Sequence, residues 1–102
     1  MPRQVTVKFA PEFTALLESD RKISTTRYQR LGHKADYFEW NGHKYVIDHV
    51  QAHHLRFVAR HFFREEGFAT MQEFIRWWIA HYSCRGYHSQ EIVFYHRFFR
   101  ET

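Results

Sequence analysis

A polar segment between Lys22 and Arg27 carries residue types and spacings that could do chemistry. Thr25 and Arg27 lie two positions apart, so on a β-strand their side chains project from the same face. Such a pair combines a hydroxyl that hydrogen-bonds or attacks with a guanidinium that binds an anion or a carbonyl. Lys22 has the opposite parity and reaches that face only from a turn or across a bulge. Taken alone, this pattern is more typical of a solvated polar strand face than of a site.

Histidines form a second group with chemical potential, because His49, His53, His54 and His61 are clustered among the nine in the chain. In a strand, however, His49 and His53 would lie about 13 Å apart. No HExxH pattern and no accompanying carboxylate set is present. We therefore expect surface histidines that add positive charge at acidic pH, with no metal and no other cofactor.

Aromatic residues make up 20% of the chain and serve either packing or base stacking. Tyr28 and Trp40 are candidates for ligand binding, since single-stranded bases stack on rings that lie beside arginine. For each ring taken singly, packing in the core is the better explanation. Trp77 and Trp78 are adjacent, so on a helix they point about 100° apart. We expect one of them in the core and the other at its edge.

The charge balance points to an anionic partner without identifying one. Fifteen Lys and Arg face eleven Asp and Glu, a formal charge of +4, and arginine outnumbers lysine. Arginine offers a planar fork for phosphate and a flat face for bases, which favours a nucleic-acid partner. A solvated basic surface explains the charge equally well.

The length of 102 residues allows one domain, which we place over residues 1–102. The single cysteine, Cys84, can form neither an intramolecular disulfide nor a thiolate zinc site. No basic-then-apolar leader opens the sequence, and no apolar run approaches the ~20 residues that a bilayer requires. These features predict an intracellular, cytoplasmic protein with no membrane partner.

Hydrophobic periodicity predicts the elements that must position these residues. They are strands over residues 5–9 and 21–28, a helix over 11–20, a loop over 29–35, a hairpin over 37–57, helices over 57–65 and 70–82, and a strand over 91–99. This order has no βαβ rhythm, which favours an α+β fold. A few strands sharing so many rings favour a small β-barrel with short helices packed on it.

Three local signals support that assignment. Asn41-Gly42 between two aromatic or β-branched runs is typical of a tight hairpin turn, and we place a bulge near His53-His54. Thr70 followed by Glu73 fits a helix-capping box. The last strand carries aromatic residues on both faces, which predicts a place in the middle of the sheet.

Four patterns in this order give the chain a resemblance to the ASCH family of the PUA-like barrel superfamily. They are the segment 13–27, with Lys22, Thr25 and Arg27 on the family's Lys, Thr and Arg; Lys34-Ala35-Asp36-Tyr37-Phe38; Glu65-Glu66-Gly67-Phe68, followed by Glu73-Phe74 and Trp78; and the closing strand 92–99. Two usual glycines are missing. Ser19-Asp20-Arg21 stands where one of them lies, and Ala35 replaces the other.

The resemblance implies a nucleic-acid-binding ASCH-like domain with a polar cleft, whose partner is RNA or a modified nucleoside. Some members look like ribonucleases, and others are amidohydrolases that deacetylate a modified cytidine nucleoside with a Lys, a Thr and a Glu. Those catalytic positions correspond here to Lys22, Thr25 and Glu66, with Glu65 as the alternative if the register shifts by one. Arg27 would bind the ligand.

In the enzymatic alternative, the hydroxyl of Thr25 needs a base. Lys22 could serve if burial and the nearby Arg27 lowered its pKa. Glu66 would position Lys22 or pass a proton to the leaving amine. The resemblance leaves binding alone, amide hydrolysis and RNA cleavage open.

Overall fold

The computed structural model describes residues 1–102 and contains a four-stranded antiparallel sheet with short helices packed against it. The strands are β1 (Ser24–Arg27), β2 (Tyr37–Trp40), β3 (His43–His54) and β4 (Ile92–Glu101). The helices are α1 (Thr14–Glu18), which follows a 3₁₀ turn at Pro11–Phe13, α2 (Leu55–His61) and α3 (Met71–His81). The predicted α+β class is confirmed.

The strand order is β1-β4-β3-β2, so β1 and β2 form the two edges of a curled half-barrel. β4 pairs with both β1 and β3, as its two aromatic faces predict. Its buried residues lie on both faces, with Val93 and Tyr95 on one and His96 and Phe98 on the other. This central strand fixes the register of β1 by pairing Thr25 with His96.

The hairpin forms where the sequence predicts it, with positive φ angles of 51° at Asn41 and 82° at Gly42. The predicted bulge position is wrong, because the ladder is irregular between Ile47 and His49 rather than near His53-His54. The predicted boundary at residue 57 is also wrong. The helix begins at Leu55, since the buried Leu55 and Val58 already have helical spacing.

Residues 5–9 do not form the predicted strand. The segment makes one isolated bridge, between Gln4 and Tyr37, and the Val5 N–H donates to the Tyr37 carbonyl at 2.7 Å. Val7 and Phe9 are nevertheless buried, while Lys8 is exposed. The alternation therefore predicts burial correctly, but no neighbouring strand continues the hydrogen-bond ladder.

Two buried clusters hold the layers together. One packs Phe38, Tyr45 and Phe98 of the sheet against Leu17 of α1. The other lies under α2 and α3, and its members are Leu55, Val58, Ala59, Phe74, Trp78, Val93 and Tyr95. Trp78 is fully buried, whereas Trp77 is half-buried and touches both clusters. This confirms the division expected for the two tryptophans.

Helix α3 begins with the predicted cap. The Thr70 side chain accepts a hydrogen bond from the Glu73 N–H at 3.1 Å, while the Glu73 carboxylate accepts one from Ala69 rather than from Thr70. The reciprocal bond therefore falls one residue earlier than in a capping box. None of the helices combines the length and the apolar character needed to cross a membrane.

The two positions that lack the expected glycines adopt glycine-like backbone angles. Asp20 has a φ of 60° and Ala35 a φ of 79°. Aspartate tolerates this left-handed region better than alanine does, because its short polar side chain can hydrogen-bond locally. The turn geometry is thus kept without glycine, at a strain cost that falls mainly on Ala35.

Candidate functional site

A small cavity lies beside β1, and Lys22, Thr25, Arg27 and Glu66 all line it. We call it the β1 cleft; its other lining residues are Lys8, Phe9, Ala10, Phe13, Thr26, Trp77 and His81. Its volume is about 30 Å³, which suits one or two water molecules. The four residues singled out from the sequence therefore converge in space.

Lys22 and Glu66 form a buried ion pair at the inner end of the cleft. The Lys22 ammonium donates to the Glu66 backbone carbonyl at 2.9 Å and lies 3.7 Å from Oε1 of its carboxylate. The ammonium also lies 4.6 Å from the centre of the Phe13 ring. Burial lowers the pKa of Lys22, and the charge of Arg27 lowers it further, against the opposing attraction of Glu66.

Two hydroxyls complete the surroundings of the Glu66 carboxylate. Ser24 and Thr26 donate hydrogen bonds to Glu66 Oε2 at 2.5 and 3.1 Å. Sequence reasoning missed both residues, although they share the parity of Lys22 on the strand. That shared parity was the available signal. Side chains at alternate positions of a strand lie on one face, so a carboxylate that pairs with Lys22 also comes close to Ser24 and Thr26.

The turn after α2 delivers Glu66 to the cleft. The N–H groups of Ile23 and Ser24 donate to the Glu65 carbonyl at 2.8 and 3.1 Å, which fixes the turn against the start of β1. Gly67 has a φ of +102°, and a Cβ there would lie 3.2 Å from Leu16 Cδ1 and 3.4 Å from Lys22 Cβ. The positive φ therefore favours glycine at this position, and an added Cβ would also crowd Leu16 and Lys22.

Glu65 points elsewhere. Its carboxylate accepts a hydrogen bond from the Tyr95 hydroxyl, on the side of the sheet where Tyr95 packs under α2. Of the two adjacent carboxylates, only Glu66 lines the cleft.

Thr25 and Arg27 share a face, as their spacing predicts. Arg27 Nε donates to Thr25 Oγ1 at 3.0 Å, and Arg27 Nη2 donates to the Lys8 carbonyl at 2.6 Å. The guanidinium carbon lies 5.5 Å from the centre of the Phe9 ring. Arg27 Nη1 makes no hydrogen bond within the chain, which leaves one edge of the fork open to a ligand.

His96, on the neighbouring strand β4, holds the backbone of β1 at Thr25. Its Nε2 accepts from the Leu31 N–H at 3.0 Å, so the other nitrogen, Nδ1, carries the hydrogen that is donated to the Thr25 carbonyl at 3.2 Å. Burial lowers the pKa of His96 to about 4. The ring is thus neutral at physiological pH and holds the backbone of Thr25 in place.

The rim of the cleft is aromatic. Trp77 and His81, one turn apart on α3, stack with ring centres 4.6 Å apart and planes at 11°. His81 is exposed, and Trp77 packs on Phe13 at 5.2 Å. Sequence reasoning did not assign these rings to the site; their i, i+4 spacing was the signal that they share a face.

Tyr28 and Trp40, the rings chosen from the sequence for base stacking, lie outside the cleft. Arg85 covers the Tyr28 ring at 3.7 Å, and the Tyr28 hydroxyl is held between Glu91 and Trp78. Trp40 packs edge-on against Phe9 at 5.4 Å. Both rings thus pack against other side chains, which is the alternative to base stacking that the sequence left open.

The clustered histidines are spread over separate partners. His49 contacts the Gln51 side chain, and His54 contacts the Gln90 carbonyl. His53 and His61 pack against the ring of Phe57. No group of three or more His, Cys, Asp or Glu side chains is arranged to hold a metal ion.

Comparison with known proteins identifies the fold. No protein-family model and no curated protein sequence matches the chain. The ASCH domain from Lactobacillus crispatus JV V101 matches 97% of this chain and 79% of its own, with a TM-score of 0.64 and 13% sequence identity. The fold is that of an ASCH domain. A protein of Enterococcus faecalis V583, with the family model DUF984, shares this ASCH fold with a TM-score of 0.66 and 14% identity, over 96% of this chain and 74% of its own.

The ASCH fold confirms the resemblance predicted from the four sequence patterns. At 13–14% sequence identity the likeness extends to the fold alone.

Proposed function

We propose that the β1 cleft binds a nucleotide of single-stranded RNA or a modified nucleoside. The convergence of Lys22, Thr25, Arg27 and Glu66 in one cavity carries this proposal. These side chains offer cationic donors, a carboxylate acceptor and a hydroxyl within one small volume. The fold shared with an ASCH domain agrees with an RNA-related role.

The donor and acceptor pattern favours a pyrimidine with an exocyclic amine. A carboxylate accepts from such an amine, as it does from cytosine N4, and Glu66 Oε1 makes no hydrogen bond within the chain. The open edge of Arg27 and the ammonium of Lys22 suit the adjacent ring nitrogen and carbonyl. Trp77 supplies a surface for stacking at the rim.

The cleft must open to admit a base, because its present volume of about 30 Å³ holds only water. The exposed His81 ring covers Trp77, so a rotation of His81 away from Trp77 widens the entrance. Side-chain rearrangement of this kind is common when a ligand binds.

Fluorescence anisotropy with labelled single-stranded RNA tests the binding proposal. Arg27→Ala should weaken binding at least tenfold, because it removes the open donor edge of the cleft. Arg97→Ala is the matched control, since it removes the same charge from an exposed ion pair with Asp48 outside the cleft. Equal affinities of the two variants would remove Arg27 from the site, and no binding at any salt concentration would reject RNA as the ligand.

Hydrolysis of a nucleoside amide is the second candidate, favoured by the lowered pKa of Lys22 in the cavity that also contains Thr25. Thr25 Oγ1 accepts a hydrogen bond from Arg27, so its own hydrogen remains available for transfer to Lys22 once Lys22 has lost its proton and moved within reach. The oxygen would then attack the acyl carbonyl while Arg27 binds the developing oxyanion. Proton transfer back to the leaving amine releases the nucleoside, and water hydrolyses the acyl group from Thr25.

Incubation with N4-acetylcytidine, followed by chromatography, tests this reaction. Lys22→Ala should abolish release of cytidine, whereas Lys34→Ala, which changes an exposed lysine, should not. A Lys22→Ala protein as active as the parent would reject the mechanism. The same variants incubated with intact RNA test the ribonuclease alternative.

A further inference from the structure

A basic groove with aromatic walls lies between α2 and α3, on the other side of α3 from the β1 cleft. We call it the α2–α3 groove; it is lined by Arg56, Phe57, Arg60, His61, Met71, Ile75 and Tyr87. Its volume is about 550 Å³, within the roughly 300–1,000 Å³ typical of ligand sites. Nothing in the cleft's proposed function uses these residues.

The two arginines of the groove have no charged partner. Arg56 and Arg60 lie one helical turn apart on α2, neither forms an ion pair, and no lining residue is acidic. Among the eleven arginines of the chain, Arg85, Arg97 and Arg100 pair with a carboxylate, so the groove is distinguished by the position of two unpaired arginines on one helix and not by the lack of a partner alone. The groove therefore presents two free guanidinium groups on one helical face, each able to bind a phosphate through two hydrogen bonds.

Phe57 lies between the two arginines in sequence and remains 41% exposed. Its ring stacks on His53, with centres 4.5 Å apart and planes at 14°, and contacts the His61 ring at 4.5 Å. The supporting rings hold Phe57 in position while part of its surface faces solvent. An exposed ring beside unpaired arginines is the combination that binds single-stranded bases together with their phosphates.

We propose that the α2–α3 groove binds a segment of single-stranded nucleic acid, with phosphates on Arg56 and Arg60 and a base against Phe57. Arginine is well suited to this role because its planar group pairs with phosphate and stacks on bases.

The groove and the cleft lie on opposite sides of the buried face of α3. At 100° per residue, Met71 and Ile75 face the groove while Trp77 and His81 face the cleft, with the buried Trp78 between them. A strand can therefore occupy the groove without entering the cleft. The groove proposal does not rest on the function proposed for the cleft.

Fluorescence anisotropy with a fluorescein-labelled oligouridylate, measured over a range of salt concentrations, tests the phosphate contacts. Arg56→Ala/Arg60→Ala should lower affinity at least tenfold. It should also reduce the slope of log K against log salt by about 1.4, since each phosphate contact on a single strand contributes about 0.7. The matched control is Arg3→Ala/Arg97→Ala, which removes the same charge from outside the groove and should keep the parent's slope. A groove variant that behaves like the control overturns the proposal.

The role of Phe57 separates a nucleic-acid site from a general polyanion site. Phe57→Leu keeps an apolar side chain but removes the ring, and Phe57→Ala removes both; circular dichroism verifies that each variant is folded. Both should weaken oligouridylate binding severalfold or more without changing the salt slope, and should leave binding of inorganic polyphosphate unchanged. If both leave oligouridylate binding unchanged, or if polyphosphate or anionic vesicles bind as tightly as the oligonucleotide, the proposal is overturned.

Failure of the cleft proposal is distinguishable from failure of this one. Arg27→Ala changes only the cleft, and binding of a free nucleoside reports on the cleft because it carries no phosphate. Loss of oligouridylate affinity in the groove variants with nucleoside binding unaffected supports the groove alone.

Discussion

The β1 cleft and the α2–α3 groove use the same kinds of residue in opposite ways. In the cleft, Lys22 and Glu66 are buried and neutralise one another. In the groove, Arg56 and Arg60 are exposed and have no acidic partner. The buried charges of the cleft are thus neutralised within the chain, whereas the charges of the groove are left to a ligand or to counterions.

This difference indicates which charged residues contribute to folding stability and which are available for ligand binding. A buried charge has lost its hydration, so removing its partner is costly. An exposed charge keeps its water, and its removal hardly changes the free energy of unfolding. We therefore expect cleft substitutions to change folding as well as ligand binding, and groove substitutions to change ligand binding alone.

The largest effect is expected for Glu66→Ala. It leaves the Lys22 ammonium without its carboxylate and the Ser24 and Thr26 hydroxyls without their acceptor. Breaking a buried ion pair in this way costs about 3–5 kcal/mol. Urea denaturation measures the change, with Glu39→Ala as an exposed control. A loss below 1 kcal/mol would show that Lys22 is not held as a buried charge.

The second effect is a pH dependence that arises from His96. Its pKa is about 4 in the folded protein against 6.5 for the free side chain. Above pH 6.5 both states are neutral; as the pH falls from 6.5 to 4, only the unfolded state takes up the proton, so stability decreases. The expected loss is about 3 kcal/mol, at 1.36 kcal/mol per unit.

Thermal or urea unfolding between pH 4 and 7 measures the His96 contribution against a His96→Gln variant. Other groups titrate in both proteins, so the difference between the two curves isolates His96. That difference should be greatest near neutral pH and shrink as the pH falls. A difference that is constant with pH would contradict a buried, neutral ring.

A smaller effect tests the turn that delivers Glu66. Gly67→Ala places a Cβ at a φ of +102° and within 3.4 Å of both Leu16 and Lys22, whereas Gly42→Ala has a φ of +82° with no atom within 4 Å. The backbone strain is about 1–2 kcal/mol in either case. Gly67→Ala should therefore lower the free energy of unfolding more than Gly42→Ala does, because only the Cβ at position 67 crowds Leu16 and Lys22. Urea denaturation of both variants measures the difference. Equal losses of stability would mean that the turn can move away from β1.

The smallest effect completes the comparison. Arg56→Ala/Arg60→Ala should change the free energy of unfolding by no more than about 0.5 kcal/mol for each residue. The same urea denaturation detects this, with the parent measured alongside. A loss as large as that of Glu66→Ala would mean that the groove arginines stabilise the fold, and the distinction between the two regions would disappear.

Sequence reasoning located the cleft better than it located the elements around it. The resemblance to the ASCH family placed Lys22, Thr25 and Glu66 together, and spacing alone placed Arg27 beside Thr25. Lys22 reaches the same cavity despite its opposite parity, because it stands at the turn before β1. Residues of opposite parity can therefore line one cavity when one of them lies in the turn that leads into the strand.

The limits of sequence reasoning have identifiable physical causes. Tyr28 and Trp40 were chosen as single rings near arginine, but local spacing does not reveal that Arg85 covers one and Phe9 packs on the other. Residues 5–9 alternate like a strand, yet strand formation needs a partner that the sequence pattern cannot supply. The groove was missed because its two walls, α2 and α3, become neighbours only in the folded chain.

Helix α3 forms one wall of the β1 cleft and one wall of the α2–α3 groove. Trp77 and His81 line the cleft, while Met71 and Ile75 line the groove. A displacement of α3 would therefore change the lining of the cleft and of the groove together. The helix that separates the two sites is thus also a structural part of both.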